Sequence, residues 1–507
     1  TLTARKSGRA QLAGHARRDV LHRTALARLA MAAADSDEHG GEVHVLLLPY
    51  PSQGHINPIL QFGKRLASHA GVRCTLVVTR FLLGQGRDPT PGAVHLAEIS
   101  DGFDRGGFAE AAGDVAAYLA RLESVGSRTV DELLLSEAAR GRPVRVVVYD
   151  AFLQPWAPEV ARQRGAACAS FFTQAPAVDV AYEHAWAGRM VVPVVGEVPS
   201  GLPGLPAGLE PADLPSFLTA PDDCPAYLDL LVKQFVGLDA ADHVLVNSFH
   251  ELQPLESEHM ASTWGAKTVG PTVPSAYLDN RLPDDVSYGF HLHTPTTATT
   301  KSWLDAQPAR SVAYVSFGSI AELGPAEMAE VAEGLYSSGK AFLWVVRALE
   351  TSKIPEGFAD RAGGRGLIVT WTAQLEVLAH PAVGCFVTHC GWNSTTEALG
   401  AGVPMVAMPH WSDQPTNAKY IEDVWRVGVR ARRDDGGVVR REEVERCVRE
   451  VMEGERSEEY VRNAVEWKEK AINAMGEGGS SDTNITEFLR QLRSKKPEQA
   501  SKAESVV

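Results

Sequence analysis

The stretch THCGWNSTTEALGAGVP, Thr388 to Pro404, lies between two apolar runs, GCFVTH (384–389) and VPMVAM (403–408). An apolar run that meets Cys-Gly-Trp-Asn-Ser and then TTEALGA reads as a buried strand turning into a helix. Such a junction aims unpaired backbone N–H groups and the positive end of a helix dipole outward, which suits an anion, often a phosphate.

Working outward, the same alternation runs through the chain. Strand candidates before residue 270 are VHVLLL (43–48), VRCTLVVT (72–79), VHLAEI (94–99), VRVVVY (144–149), ACASFF (167–172) and HVLVNS (243–248). A second series comprises SVAYVSF (311–317), AFLWVV (341–346), GLIVT (366–370), GCFVTH and VPMVAM. Helical patterns lie between them: NPILQFGKRLASHA, an amphipathic stretch from Val115 to Ala138, PAEMAEVAEGLYSS, QLEVLAH and STTEALGA. Strands alternating with helices imply parallel sheets covered on both faces. Two series parted by the Pro- and Thr-rich stretch Gly270 to Thr300 imply two doubly wound α/β domains. SSDTNITEFLRQL reads as a last helix with Ser481 or Asp482 as its N-cap.

Composition narrows the classes of function. The chain has 507 residues, 44% hydrophobic and 22% charged, with a formal charge of −14. That acidity argues against nucleic acid and anionic membrane surfaces as main partners, and no apolar run approaches the ~20 residues of a membrane span. Cys74, Cys168, Cys224, Cys385, Cys390 and Cys447 form no CxxC pair and read as reduced thiols of a cytoplasmic protein. Residues 1–42 read as a disordered or non-native leader. The first thirty hold seven Lys/Arg against one acid, as a transit peptide does, but Met31 followed by AAADSDEHGGE resembles an ordinary start and a polar arm.

Ligands of open α/β sheets bind beyond the carboxyl ends of the strands, and polar and aromatic groups gather at those ends. VHVLLL ends in PYPSQGHINP, with His55 in a loop and Asn57 and Pro58 as N-cap and first helical residue. VRVVVY ends at Asp150, ACASFF at Thr173, SVAYVSF at Gly318-Ser319, GLIVT at Trp371 and GCFVTH at His389; VPMVAM leads to Asp413 and Gln414. Singly, each has a duller reading. His55 is satisfied by backbone, Asp150 caps a helix, Ser394 to Glu397 is a capping box, and Trp371 and Trp392 pack a domain interface. As one edge with one chemical theme, they point to a cleft between facing domains. The sequence lacks GxGxxG after a strand, GxxxxGK[ST] and GxSxG. Its only Asp-x-Asp pair, Asp35 and Asp37, sits in the polar arm.

From Trp371 to Gln414, WTAQLEVLAHPAVGCFVTHCGWNSTTEALGAGVPMVAMPHWSDQ resembles the 44-residue signature of plant family 1 UDP-glycosyltransferases; PSQGHINP and VSFGS match as well. Ala373 departs from it, standing where the signature has Pro. The resemblance, over about residues 43–492, implies the GT-B architecture and metal-independent, inverting transfer from a UDP-sugar. It implies an acceptor domain over 43–280, a linker over 281–300, a UDP-sugar domain over 301–480, and a helix and tail over 481–507 that pack back on the first domain. Trp371 is then expected to stack on uracil, the backbone of Ala373 to read its edge, and Gln374 and Glu397 to hold the ribose. His389, Asn393, Ser394 and Ser319 are expected at the diphosphate, and Asp413, Gln414, the Trp392 backbone and Thr173 at the sugar. His55, oriented by Asp150, is expected to act as base. No metal and no cofactor is expected besides UDP-glucose as donor co-substrate, Gln414 favouring glucose where galactose users carry His.

The acceptor pocket is expected from Phe172 to Trp186 and the Pro/Gly-rich stretch 191–215, which suits a hydrophobic small molecule. Within the family the chain resembles cereal glucosyltransferases that detoxify trichothecenes such as deoxynivalenol, and also the branch that acts on salicylate-like acids. A monomer without nucleic-acid or membrane partners is expected. Rival readings are a UDP-sugar epimerase and a non-catalytic binder.

Overall fold

The computed structural model describes residues 42–85, 89–292 and 294–494. The expected leader, apart from Glu42, lies outside the described residues, as do Asp35 and Asp37. Two wholly parallel sheets form the frame. The first has seven strands: β1 (Val43–Leu48), β2 (Val72–Thr79), β3 (His95–Ile99), β4 (Val146–Asp150), β5 (Ala167–Phe172), β6 (His243–Val246) and β7 (Lys267–Thr268), in the order β3-β2-β1-β4-β5-β6-β7. The second has six: β8 (Val312–Ser316), β9 (Ala341–Val345), β10 (Gly366–Val369), β11 (Val383–Thr388), β12 (Met405–Ala407) and β13 (Gly428–Arg430), in the order β10-β9-β8-β11-β12-β13. Helices cover both faces, so the central strands are buried throughout: every residue of β1, β4, β8 and β11 is buried.

The apolar core is continuous from the first sheet onto one face of the second, where Tyr314, Leu343 and Phe386 join it. A separate cluster around Val331, Trp344 and Val448 fills the other face. The two sheets are therefore packed against each other and not merely linked. Polar bonds reinforce the seam: Trp425 Nε1 donates to Leu252 O at 3.1 Å, Arg430 Nη1 to Asp213 Oδ1 at 2.8 Å, and the Tyr420 hydroxyl to Glu256.

Eleven strands lie where the sequence places them, within two residues; β7 and β13 were not anticipated. The helix starts differ more. The helix expected from Asn57 and Pro58 begins at Gln53 with Ser52 as N-cap, which puts Pro58 inside it and His55 in its first turn rather than in a loop. The helix expected from Ser394 begins at Trp392 after Gly391, so Ser394 and Glu397 do not form a capping box. The last helix starts at Ser480, one turn position ahead of the expected cap, and Asp482 Oδ2 instead accepts the Gly478 N–H at 3.0 Å. Its Ser481 hydroxyl donates to Gly270 O at 2.6 Å and its Asn484 amide to Thr268 O at 2.9 Å, so it lies along β7. The stretch from Val115 to Ala138 is two helices, Val115–Arg121 and Ser127–Ala139, joined by a π-helical turn that ends at Gly126, a weak helix former.

Candidate active site

The strand order of each sheet reverses between its two central strands, β1 and β4 in one and β8 and β11 in the other. At such a point successive helices depart to opposite faces and leave a crevice at the carboxyl ends. His55 follows β1 and Asp150 ends β4, and register pairs Leu48 with Tyr149, so the fold brings together two residues 95 positions apart. His55 Nδ1 lies 2.7 Å from Asp150 Oδ2 and 3.1 Å from Thr173 Oγ1. Asp150 is wholly buried, and its other oxygen accepts the Phe152 N–H at 3.0 Å, which holds the carboxylate still. A carboxylate on Nδ1 places the ring proton there and leaves Nε2 as the basic atom. That nitrogen has no hydrogen-bond partner among the described residues. Around it stand Tyr50 and Phe152, with ring centroids 5.2 and 4.7 Å from the imidazole. Tyr118 lies behind Tyr50, and the Tyr50 hydroxyl lies close to that of Tyr227. Tyr227 leads on to Phe217 and Trp411. Thr173, expected at the sugar, therefore sits at the imidazole.

The other crevice is built of neutral donors. Ser319 follows β8, and its loop is pinned by Arg347, whose guanidinium donates to the carbonyls of Ser319 and Ala321. His389 follows β11 and passes between two glycines. A Cβ on Gly318 (φ +76°) or on Gly391 would lie 2.6 Å from its Nε2, so a side chain at either position would have to displace the ring. Burial pushes His389 down to about 4, so it is a neutral donor or acceptor at physiological pH. The helix Trp392–Ala401 opens beside it, and its ladder begins with Thr395 N–H on Gly391 O, so the amides ahead of that bond point out of the helix end.

Gln374 and Glu397, predicted to share one task, touch directly: Gln374 Nε2 donates to Glu397 Oε2 at 2.6 Å and to Ser394 Oγ at 2.9 Å. The Tyr314 hydroxyl, bonded to Gln374 Oε1 at 3.0 Å, fixes which way the amide faces. Burial raises Glu397 to about 7. Ala373 caps this short helix with φ −75°, within the range a proline ring imposes, so the loop keeps the shape of the proline it lacks. Trp371 is half-buried, its carbonyl held by Thr296 N–H at 3.1 Å. Gln414 Oε1 accepts the N–H groups of His410 and Trp411 at 2.9 and 3.2 Å. Asp413, raised by burial to about 6, accepts a hydrogen bond from Asn417 Nδ2 at 2.8 Å and lies close to the Trp392 backbone.

The two crevices face each other. Asn393, expected at a diphosphate, spends its amide on Gly54 O at 2.7 Å. Gly54 has a carbonyl to offer because Pro58, four residues on in the same helix, has no N–H to bond it. The Trp392 indole likewise crosses the seam to Asn247 O at 2.7 Å, the interface role that was the duller reading of this residue. The first turns of the helices carrying His55 and Ser394 are thus in contact, with their positive ends near the cleft.

Sequence reasoning missed Tyr50 and Phe152, the rings nearest His55, and Arg347 beneath Ser319. It placed the acceptor walls on 172–186 and 191–215. The first of these is buried through His184, while Val191 and Val195 face solvent. Two signals were available: Tyr50 lies five residues before His55, and Phe152 lies two after Asp150. Among the described residues, the trio Glu183, His184 and His259 places ligand atoms within 4.8 Å of one another. Arg189 already fills a cation's place there, donating to Glu183 and to His184 Nδ1 at 2.7 Å.

Residues 281–468 match the model of the family UDP-glucoronosyl and UDP-glucosyl transferase. A barley protein (Hordeum vulgare), UDP-glucosyltransferase UGT13248, is 53% identical over 90% of this chain and 95% of its own length. The rice UDP-glycosyltransferase 79 (Oryza sativa) is 51% identical over 90% and 98%. The crystal structure of Os79 from O. sativa with UDP superposes with a TM-score of 0.84 at 50% identity, covering 88% of this chain and all of the other. Another, with UDP and deoxynivalenol-3-glucoside, gives 0.80 at 49%, again over 88% of this chain and all of the other. Two facing parallel sheets, a cleft at their switch points and this degree of identity establish that the chain belongs to plant family 1 of the UDP-glycosyltransferases, as a UDP-glucosyltransferase of GT-B fold.

Proposed function

We propose that the enzyme moves glucose from UDP-glucose, with inversion, onto a hydroxyl or carboxyl of a hydrophobic small molecule, a trichothecene such as deoxynivalenol foremost. The observation that carries this reading is the buried Asp150 on His55 Nδ1 with Nε2 open towards aromatic rings. The acceptor O–H gives its proton to Nε2 while the oxygen attacks the anomeric carbon from the face opposite the diphosphate. The bond from that carbon to the diphosphate oxygen breaks, and UDP leaves with the electron pair. Asp150 stabilises the imidazolium that forms. The outward amides ahead of Thr395, His389 and the Ser319 hydroxyl take up charge on the leaving group in place of a metal. Trp371 and the backbone of Ala373 take the uracil, Gln374 and Glu397 the ribose, and Asp413, Gln414 and the backbone of Trp392 the glucose. Thr173 holds the far side of the imidazole.

The trichothecene reading rests on the rice structure with deoxynivalenol-3-glucoside and on an apolar wall of Tyr50, Phe152 and Tyr227 suited to a ring framework. Six free thiols, five of them buried, support a cytosolic enzyme. The enzyme is read as a monomer. The test is incubation with UDP-glucose and deoxynivalenol, salicylate or no acceptor, reading UDP release and a mass gain of one hexose. Glucosylated deoxynivalenol is the expected product. Glucosylation of salicylate alone would move the acceptor class to phenolic acids, and a rearranged sugar without acceptor would make the enzyme an epimerase.

A further inference from the structure

Tyr288 stands in the Pro- and Thr-rich stretch between the sheets, yet it is buried, and its hydroxyl donates to Glu397 Oε1 at 2.8 Å. Two residues on, Phe290 O accepts Gln53 Nε2 at 2.7 Å, and the Leu292 N–H donates to Gln53 Oε1 at 3.2 Å. Gln53 is the first residue of the helix that carries His55. A five-residue strap is thus fastened at one end to a carboxylate of the donor crevice and at the other to the helix of the base.

We propose that Tyr288 is a positioning residue of the donor site, holding Glu397 aimed to accept the ribose hydroxyls while the strap keeps that pocket in register with His55. This rests on the reading of Glu397 as a ribose-binding group. Each carboxylate oxygen has one donor, Tyr288 on Oε1 and Gln374 on Oε2, which leaves lone pairs free for two hydroxyls. Burial raises Glu397 and these two donors oppose it, so losing one leaves a buried oxygen unpaired and favours protonation. The ionisable groups that bear on Glu397 are Tyr288 from the strap and Tyr314 from β8; burial holds both phenols neutral, with Glu397 adding to the effect. Gln374 and Ser394 complete its surroundings.

The experiment is calorimetric UDP binding to the full chain between pH 5.5 and 9. Wild type should weaken as pH falls through about 7. Tyr288→Phe should bind UDP about tenfold more weakly at neutral pH and move the midpoint upward, and 2′,3′-dideoxy-UDP should bind both proteins alike. In a Glu397→Gln background the same change should add little. Superimposable profiles for Tyr288→Phe and wild type, with Glu397→Gln impaired, would overturn the inference. So would an equal loss in both backgrounds, which marks packing alone. UDP binding by Glu397→Gln as tight as wild type would instead remove the ribose reading on which the inference stands.

Discussion

The two sheets share one topology and reverse at equivalent points, yet the crevices differ in kind. Beyond β1 and β4 stands an imidazole on a buried carboxylate, a pair that in the proposed reaction gains and loses a proton. Beyond β8 and β11 stand a desolvated histidine, a helix end, carbonyls held by Arg347, a Ser394 hydroxyl held by Gln374 and backbone N–H groups held by Gln414, a set that in the proposed reaction stays still. A shared frame decides where chemistry is placed; the side chains at the strand ends decide which chemistry it is.

The sharpest way to break this contrast is to remove the mobile proton. His55→Ala should lower kcat on an alcohol by ~10²–10⁴, or about 3–6 kcal/mol of barrier, while UDP binds as before. Asp150→Asn should also be slow, and the double mutant little worse than His55→Ala, because the carboxylate acts through the ring. A carboxylic acid acceptor, already ionised, should depend on His55 less. Wild-type turnover by His55→Ala on an alcohol would end the assignment.

The next effect belongs to the fixed crevice. If glucose hydroxyls donate to ionised Asp413, whose carboxyl is pushed up to about 6, KM for UDP-glucose should rise below that pH relative to the dissociation constant of UDP alone. Asp413→Asn should raise KM about tenfold and flatten that ratio; an unchanged ratio across pH would place the sugar elsewhere.

How much of this was legible in the sequence differs by level. Apolar runs of five or more residues marked eleven strands because a parallel sheet buries both faces. Lys267–Thr268 and Gly428–Arg430 are edge strands of two and three residues, too short to carry a pattern. The two ends of the His55–Asp150 contact were visible as polar residues ending apolar runs, though nothing in the spacing of 95 residues states their distance. Helix starts were misread because Pro58 looks like a first helical residue and Ser394 like an N-cap. The rings at the acceptor side escaped notice because Tyr50 and Phe152 resemble ordinary core aromatics until the fold sets them beside an imidazole.

A smaller effect concerns stability. Asp179, buried on the helix after β5, has no partner for either carboxyl oxygen. Burial, together with the charges of Asp413 and Asp150, raises it well above the usual carboxylate range. The folded form then binds a proton that the unfolded chain releases near pH 4, so stability is full below that pH and falls as pH rises towards the folded value. Asp179→Asn should remove that slope, gaining about 1–3 kcal/mol at pH 8 and less at pH 5. Parallel melting curves against pH would show that Asp179 is satisfied. The smallest expected effect is none at all: a chelator should leave turnover unchanged, and loss restored by magnesium or manganese would reassign the charge on the leaving diphosphate to a cation.

The carbonyl of Gly54 sets a trap for protein engineering. By local standards Pro58 is a fault, and replacing it with alanine restores a rung of the helix worth ~3 kcal/mol in an ordinary interior. The restored N–H would compete for the oxygen that now receives Asn393 from the opposite domain. Selection for heat resistance would favour such a variant, and selection for turnover would reject it, since the proposed base and the proposed anion-holding helix end are registered through that oxygen. Here the irregularity in one helix is the alignment of the whole enzyme.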